Sequence, residues 1–258
     1  MTWILGIQGP QGCGKSTLAS ALVEEWGRAG VRATAVSIDD FYLTHAEHEA
    51  LASRHAGNPY LRYRGYPGTH DVALGRRVID ALASLGVGQS TDVPAYDKSA
   101  HHGRGDRAPA SAWRRVTDPV DVLVVEGWML GFTPVDATTE ALAVDPALRA
   151  PNQYLGTYRA WHERLDAFVR MHANSLDTVV RWRIDSERAR RERGEPALSD
   201  ADARDYIERF LPAYRLWSPQ LRAHPPCREL TAIELAEDRS LRPQDALQRI
   251  LWSAPRQG

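Results

Sequence analysis

The apolar positions of this chain fall into short continuous runs, separated by longer stretches in which they recur every three or four residues. Residues 3–8 (Trp-Ile-Leu-Gly-Ile-Gln) are one such run, and its length predicts a short buried strand. Leu18, Leu22, Val23 and Trp26 follow at intervals that give a helix one apolar face. Residues 32–38 read as a second strand ending at Asp39-Asp40. Residues 121–125 (Asp-Val-Leu-Val-Val) read as the clearest buried strand, ending at Glu126-Gly127. Weaker strand signals lie at 178–184 and 228–234, and helical patterns near 71–85, 152–173, 186–193, 200–211 and 243–252.

Strands alternating with helices predict an α/β fold with a mainly parallel sheet and helices on both faces. Such sheets bind ligands beyond the carboxyl ends of their strands, which directs attention to the residues after Gln8, Ile38 and Val125. The segments 57–70 (Gly, Pro, Tyr, Arg) and 97–112 (Lys, His, Gly, Arg) read as ordered loops over that end. The length of 258 residues suits a single domain over 1–258, with insertions near 43–70, 97–118 and 130–175.

Composition refines this only at the margins. Apolar residues at 43% and charged residues at 25% are ordinary for a globular chain, so no long disordered stretch is expected. With 32 Lys and Arg against 33 Asp and Glu, the chain lacks the basic surplus of a nucleic-acid binder, and a small anionic ligand fits better than nucleic acid. No apolar run approaches the roughly 20 residues of a membrane span, and the N-terminus does not read as a signal peptide. A cytoplasmic location is the resulting expectation, with Cys13 and Cys227 as reduced thiols. Nothing in the sequence speaks to oligomeric state.

The chemistry begins at the first strand's end. Gly9-Pro10-Gln11-Gly12-Cys13-Gly14-Lys15-Ser16 fits G-x-x-x-x-G-K-[ST], and with Thr17 it forms the candidate nucleotide site. Glycines let backbone N–H groups turn inward onto phosphate oxygens, and the following helix adds the positive end of its dipole. Lys15 would meet the β- and γ-phosphates of ATP, and the Ser16 hydroxyl would meet Mg²⁺.

Two further strand ends carry acids. A phosphoryl-transfer site needs a carboxylate to accept a hydroxyl proton and acids to hold the metal. In an extended chain only one of Asp39 and Asp40 faces the phosphates. Asp39 is expected as the base and Asp40 as a turn-bonding residue, with Glu126 as a metal residue. A nucleotide-dependent switch without its own substrate is the alternative class, although no Asn-Lys-x-Asp guanine-reading segment occurs.

Gly9–Ser16, Ser37-Ile-Asp-Asp-Phe-Tyr42 and Val124-Val-Glu-Gly127 resemble the group containing uridine kinase, phosphoribulokinase and pantothenate kinase. Longer motifs narrow the resemblance: Arg64-Gly-Tyr-Pro-Gly-Thr-His-Asp71, Tyr96-Asp-Lys-Ser99, Gly103-Arg-Gly-Asp-Arg107 and Glu126-Gly-Trp-Met-Leu-Gly-Phe132. With Trp182-Arg183 and Leu211-Pro-Ala-Tyr214, they are similar to the plant-type D-glycerate 3-kinase family and its fungal and bacterial relatives, from about residue 4 to 235.

That resemblance implies a P-loop kinase fold with helical insertions, and Mg²⁺-dependent transfer from ATP to glycerate. It makes Lys15 and Asp39 catalytic and Ser16 and Glu126 the metal residues. Another small alcohol, such as a nucleoside, a sugar or a pantothenate-like compound, is the alternative acceptor. Glycerate's carboxylate calls for a fixed cation, so Arg64, Lys98, Arg104 and Arg107 are candidates, with His70, Asp71 and Tyr96 for its hydroxyls. The Arg-rich run 187–193 is either a lid closing on the phosphates or an exposed helix of mixed charge. Trp161, Trp182, Trp217 and Tyr158 are expected in the core. Cys13 at the middle of Gly12-Cys-Gly14, where Ser or Ala is expected, raises thiol sensitivity as a question.

Overall fold

The computed structural model describes residues 1–242 and 246–254. Six strands form the main sheet: β1 (Trp3–Gln8), β2 (Ala33–Ser37), β3 (Val122–Gly127), β4 (Ala167–Ala173), β5 (Glu229–Leu235) and β6 (Leu241–Arg242). Their order is β6-β5-β4-β1-β3-β2, and every pairing is parallel except β5 with β6.

Burial on both faces explains the continuous apolar runs. In β3, Leu123 and Val125 enter one core layer and Val122 and Val124 the other, as the two-residue side-chain period requires. The second layer is closed by α1 (Lys15–Arg28), which buries Leu18, Ala19, Leu22 and Trp26, and by α7 (Ala246–Ser253). The first layer packs under α3 (Val72–Ala83), α4 (Leu176–Glu192), α5 (Asp200–Glu208) and α6 (Leu211–Ala223). The remaining longer helix, α2 (His45–Arg54), carries a Thr44–Glu47 capping box. Trp161, Trp182, Trp217 and Tyr158 are all fully buried, as expected.

Three readings of the chain need correction. The run 178–184 is helical: Ser175 caps α4 by accepting from Thr178 N, and the β-branched residues that suggested a strand form its buried face. The pattern over 152–173 divides into helices at 149–155 and 159–162 and then strand β4. β4 lies between β1 and β5, so the stretch expected as an insertion to 175 ends inside the sheet. Buried on both sides, this strand shows no alternation that would separate it from the apolar helix before it. Finally, Asp39 and Asp40 are not in extended chain; they sit in a 3₁₀ turn, Ile38–Phe41. Of the helix read near 243–252, residues 243–245 lie outside the described residues.

Candidate active site

Strand register brings the chemistry together. Ile7 pairs with Glu126 and Gln8 with Gly127, while Ser37 pairs with Glu126 from the other side. The glycine loop, Glu126 and the Ile38–Phe41 turn therefore leave three adjacent strands at one level, roughly 5 Å apart per strand. A glycine at 127 leaves room for the turn: a Cβ there would run into the fully buried Ile38 side chain.

In the loop, Gly12 and Gly14 have φ of +76° and +93°, a region that costs other residues strain. Gly14 begins α1 without a side-chain cap, so the first-turn N–H groups are open to an anion. Lys15 Nζ donates to Pro10 O at 2.9 Å, folded back over its own loop. Gly12 packs against the backbone of Trp182 and Arg183, which sets α4 directly on the loop. Tyr214 of α6 accepts from Gln11 N at 3.2 Å and donates to the Gln11 amide oxygen. A cavity of about 560 Å³ opens beside the loop, lined among others by Thr17, Ala21, Met171, Ser186 and Arg239. Cys13 is only 2% exposed, and burial raises its thiol pKa, both of which disfavour reaction of the thiol in the folded protein.

Ser16 Oγ donates to Glu126 Oε1 at 2.8 Å, and Glu126 is 6% exposed. A hydroxyl and a carboxylate side by side at the phosphate loop are hard oxygen donors, the kind Mg²⁺ takes together with phosphate oxygens and water. The residues present fit that ion.

Asp39 lies in the turn that follows the neighbouring strand, within the electrostatic reach of Lys15. Lys98 Nζ donates to Asp39 Oδ2 at 2.6 Å. Burial pushes the Asp39 carboxyl up, but Lys98, with a smaller contribution from Lys15, outweighs it and holds the pKa below the usual range. Asp40 is tied to its own turn, its Oδ2 accepting from Ser37 N at 3.2 Å in a capping box. That is the turn-bonding use expected of it.

The substrate candidates separate into groups. His70 is buried, stacked on Tyr42 at 4.2 Å, and lies within the electrostatic reach of Asp39 and Lys98. Arg64 donates to the carbonyls of Gly103, Arg104 and Lys98, and its guanidinium lies over Tyr96, so it ties the two loops together at the rim. Tyr96 in turn meets Tyr42 edge-on. Asp71 caps α3 through Leu74 N, and Arg107 donates to Tyr42 O with Asp71 3.5 Å away. Arg104 turns outward to Glu49 at 2.6 Å. The Arg-rich run is the end of α4, where Arg188 and Arg191 pair with Asp200, and Arg190 and Arg193 with Glu195.

Two further residues line this region without having been singled out as site residues. Tyr206 of α5 lies near enough to Lys98 and Tyr42 to perturb both. Arg183 stacks on Tyr206 at 4.6 Å and pairs with the buried Glu187 at 2.5 Å. Arg183 stood in a recognisable motif, whereas Tyr206 carried no signal in one dimension.

The strand order, the glycine loop opening a helix, and acids at two neighbouring strand ends together define the P-loop kinase class. The profile of the phosphoribulokinase / uridine kinase family matches residues 4–137, and the chain belongs to that family. It is 40% identical over 243 residues to the chloroplastic D-glycerate 3-kinase of Arabidopsis thaliana, covering 92% of this chain and 53% of the plant protein. The chain thus spans about half the length of that relative. It is 36% identical to the uncharacterized kinase mug58 of Schizosaccharomyces pombe, over 88% of this chain and 87% of the relative. Among solved structures, D-glycerate 3-kinase from Cryptococcus neoformans superposes with a TM-score of 0.83 at 30% identity, covering 93% of this chain and 88% of that one. No helix among the described residues is long and apolar enough to cross a membrane.

Proposed function

We propose that this protein transfers the γ-phosphoryl group of ATP to a small hydroxy acid, converting D-glycerate to 3-phosphoglycerate. The observation that carries the reading is a carboxylate, Asp39, paired with a lysine one strand beyond the Ser16–Glu126 pair and two beyond the phosphate loop. The resemblance to D-glycerate 3-kinases from a plant and a fungus supports the choice of acceptor. We read residues 1–258 as one kinase domain with insertions.

The acceptor's primary hydroxyl oxygen bonds to the γ-phosphorus as the bond from that phosphorus to the β,γ-bridging oxygen breaks, and ADP leaves. The hydroxyl proton passes to Asp39. Lys15 leaves Pro10 O to meet the β- and γ-phosphates, and the loop N–H groups hold them. Ser16 and Glu126 would hold Mg²⁺, which supplies positive charge against the phosphate oxygens when bound. Most of the rate comes from orientation and fixed charge.

A coupled ADP-release assay with D-glycerate, uridine, pantothenate and ribulose 5-phosphate tests the acceptor. Stimulation by D-glycerate is expected, and stimulation by uridine without glycerate overturns the reading. Lys15→Ala and Asp39→Asn should each reduce turnover by at least about 100-fold, with Asp39→Asn still binding ATP in calorimetry. Near-normal kcat in Asp39→Asn removes the base assignment.

A further inference from the structure

We infer that the acceptor is read at two groups besides the base: Lys98, which exchanges Asp39 for the acceptor's carboxylate, and His70, whose Nε2–H takes its secondary hydroxyl. The inference rests on the glycerate reading and adds how the acid is recognised.

Lys98 is held in an unusual way. Its backbone is fastened, since its carbonyl accepts from Arg64 Nη2 at 3.3 Å and the following Ser99 is bonded to Asp97 through both N and Oγ. Its side chain is 57% exposed and ends in the bond to Asp39, whose own side chain is 28% exposed. The ammonium can therefore swing without disturbing the loop. An ammonium on one oxygen of a carboxylate stabilises the anion and makes it a poorer proton acceptor. A base masked in this way becomes effective when the cation has another anion to bind. An arriving carboxylate is such a partner, and a neutral alcohol is not. Lys98 so links recognition of the acid to release of the base.

His70 supplies an independent observation. Its Nδ1 lies 2.8 Å from the Tyr158 hydroxyl, whose oxygen already accepts from Gly68 N at 3.1 Å. Tyr158 is 1% exposed, so its O–H proton needs an acceptor, and Nδ1 is in place to be that acceptor. Burial keeps the imidazole neutral, which leaves the ring proton on Nε2. That Nε2–H is buried and has no partner within the protein. Stacking on Tyr42 and edge contacts with Tyr158 and Trp161 fix the ring's orientation. A clamped donor with nothing to bind, on a ring within the electrostatic reach of Asp39 and Lys98, suits a hydroxyl oxygen between an acid group and a reacting hydroxyl. A 2,3-dihydroxy acid carries those three groups on consecutive carbons. Three different protein groups then distinguish its two mirror forms.

The test uses purified full-length protein, with kcat and KM measured on D-glycerate, its neutral methyl ester, and 3-hydroxypropionate, which lacks the secondary hydroxyl. Lys98→Ala should narrow the preference for D-glycerate over the ester, as a ratio of kcat/KM, by about 100-fold, and Lys98→Arg should restore most of it. If Lys98→Ala lowers both substrates by the same factor, the exchange is overturned. His70→Asn keeps a polar atom for Tyr158 but removes Nε2. It should narrow the preference for D-glycerate over 3-hydroxypropionate by about tenfold, while His70→Gln, which carries an amide to the Nε2 position, retains it. An unchanged ratio in His70→Asn overturns the histidine's role. Should that variant not fold, the wild-type ratio decides, and a value near one overturns it. Wild-type protein inactive on every acid overturns the glycerate reading itself.

Discussion

Replacing Asp40 by Asn should stabilise the ligand-free protein above pH 6, although it removes a charge beside the candidate base. Asp40 is pushed up from its ordinary 3.8 to about 6, first by burial and further by the like charges of Asp39 and Glu126, against the Ser37 N–H that favours its anion. A carboxyl whose folded pKa exceeds its unfolded one contributes stability that is complete below the unfolded value and lost as pH rises through the folded one. The gap of about two pH units, at roughly 1.36 kcal/mol each, sets an upper bound of about 3 kcal/mol on that loss. Asn removes the titration, and its amide oxygen can still accept from Ser37 N, so the turn keeps its cap.

Urea unfolding at a series of pH values, in EDTA to remove divalent ions, gives the measurement. The wild type should lose about 2–3 kcal/mol between pH 4 and 6.5 relative to Asp40→Asn, and at pH 8 the variant should be the more stable by that amount. A variant no more stable at pH 8, with the wild-type slope, would show that Asp40 ionises freely and that the reasoning is wrong.

Other substitutions probe the packing around the site. Gly75→Ala should destabilise by about 1 kcal/mol. The helix gains about 1 kcal/mol in propensity, but the new methyl meets Trp161 Nε1 at 2.7 Å and Phe41 Cδ2 at 2.8 Å, both in fully buried rings, and overpacking costs about 1–3 kcal/mol. A rise in urea midpoint contradicts this. Glu187→Ala should cost about 2–4 kcal/mol, less than for a wholly buried pair because Arg183 is partly exposed; it strips Arg183 of its partner and leaves Leu198 N, now 2.9 Å from Glu187, unpaired. A loss under about 1 kcal/mol in the same assay would count against it. Cys13 should react with iodoacetamide at pH 8 far more slowly in the native protein than in urea, as mass spectrometry of the loop peptide can follow; equal rates would mean the thiol is accessible.

Local chemistry was legible in the one-dimensional chain because it depends on neighbours in sequence. A glycine loop between an apolar strand and an amphipathic helix can be read from residues 3–26, since turn, dipole and lysine are contiguous. Acids at strand ends were legible for the same reason, and so was the cap at Asp40. Two-sided burial, however, erases the alternation that marks a strand. β4 was lost inside a helical pattern on that account, and the β-branched start of α4 was mistaken for a strand. Only the tertiary structure could pair Lys98 with Asp39 across 59 residues, bury His70 with one nitrogen unpartnered and within their electrostatic reach, turn Arg104 away to Glu49, and bring Tyr206 near Lys98. The physical reason is that a loop cation's role depends on which carboxylate or carbonyl it meets. Those meetings are decided by strand order and helix packing, and residue type and spacing do not encode them.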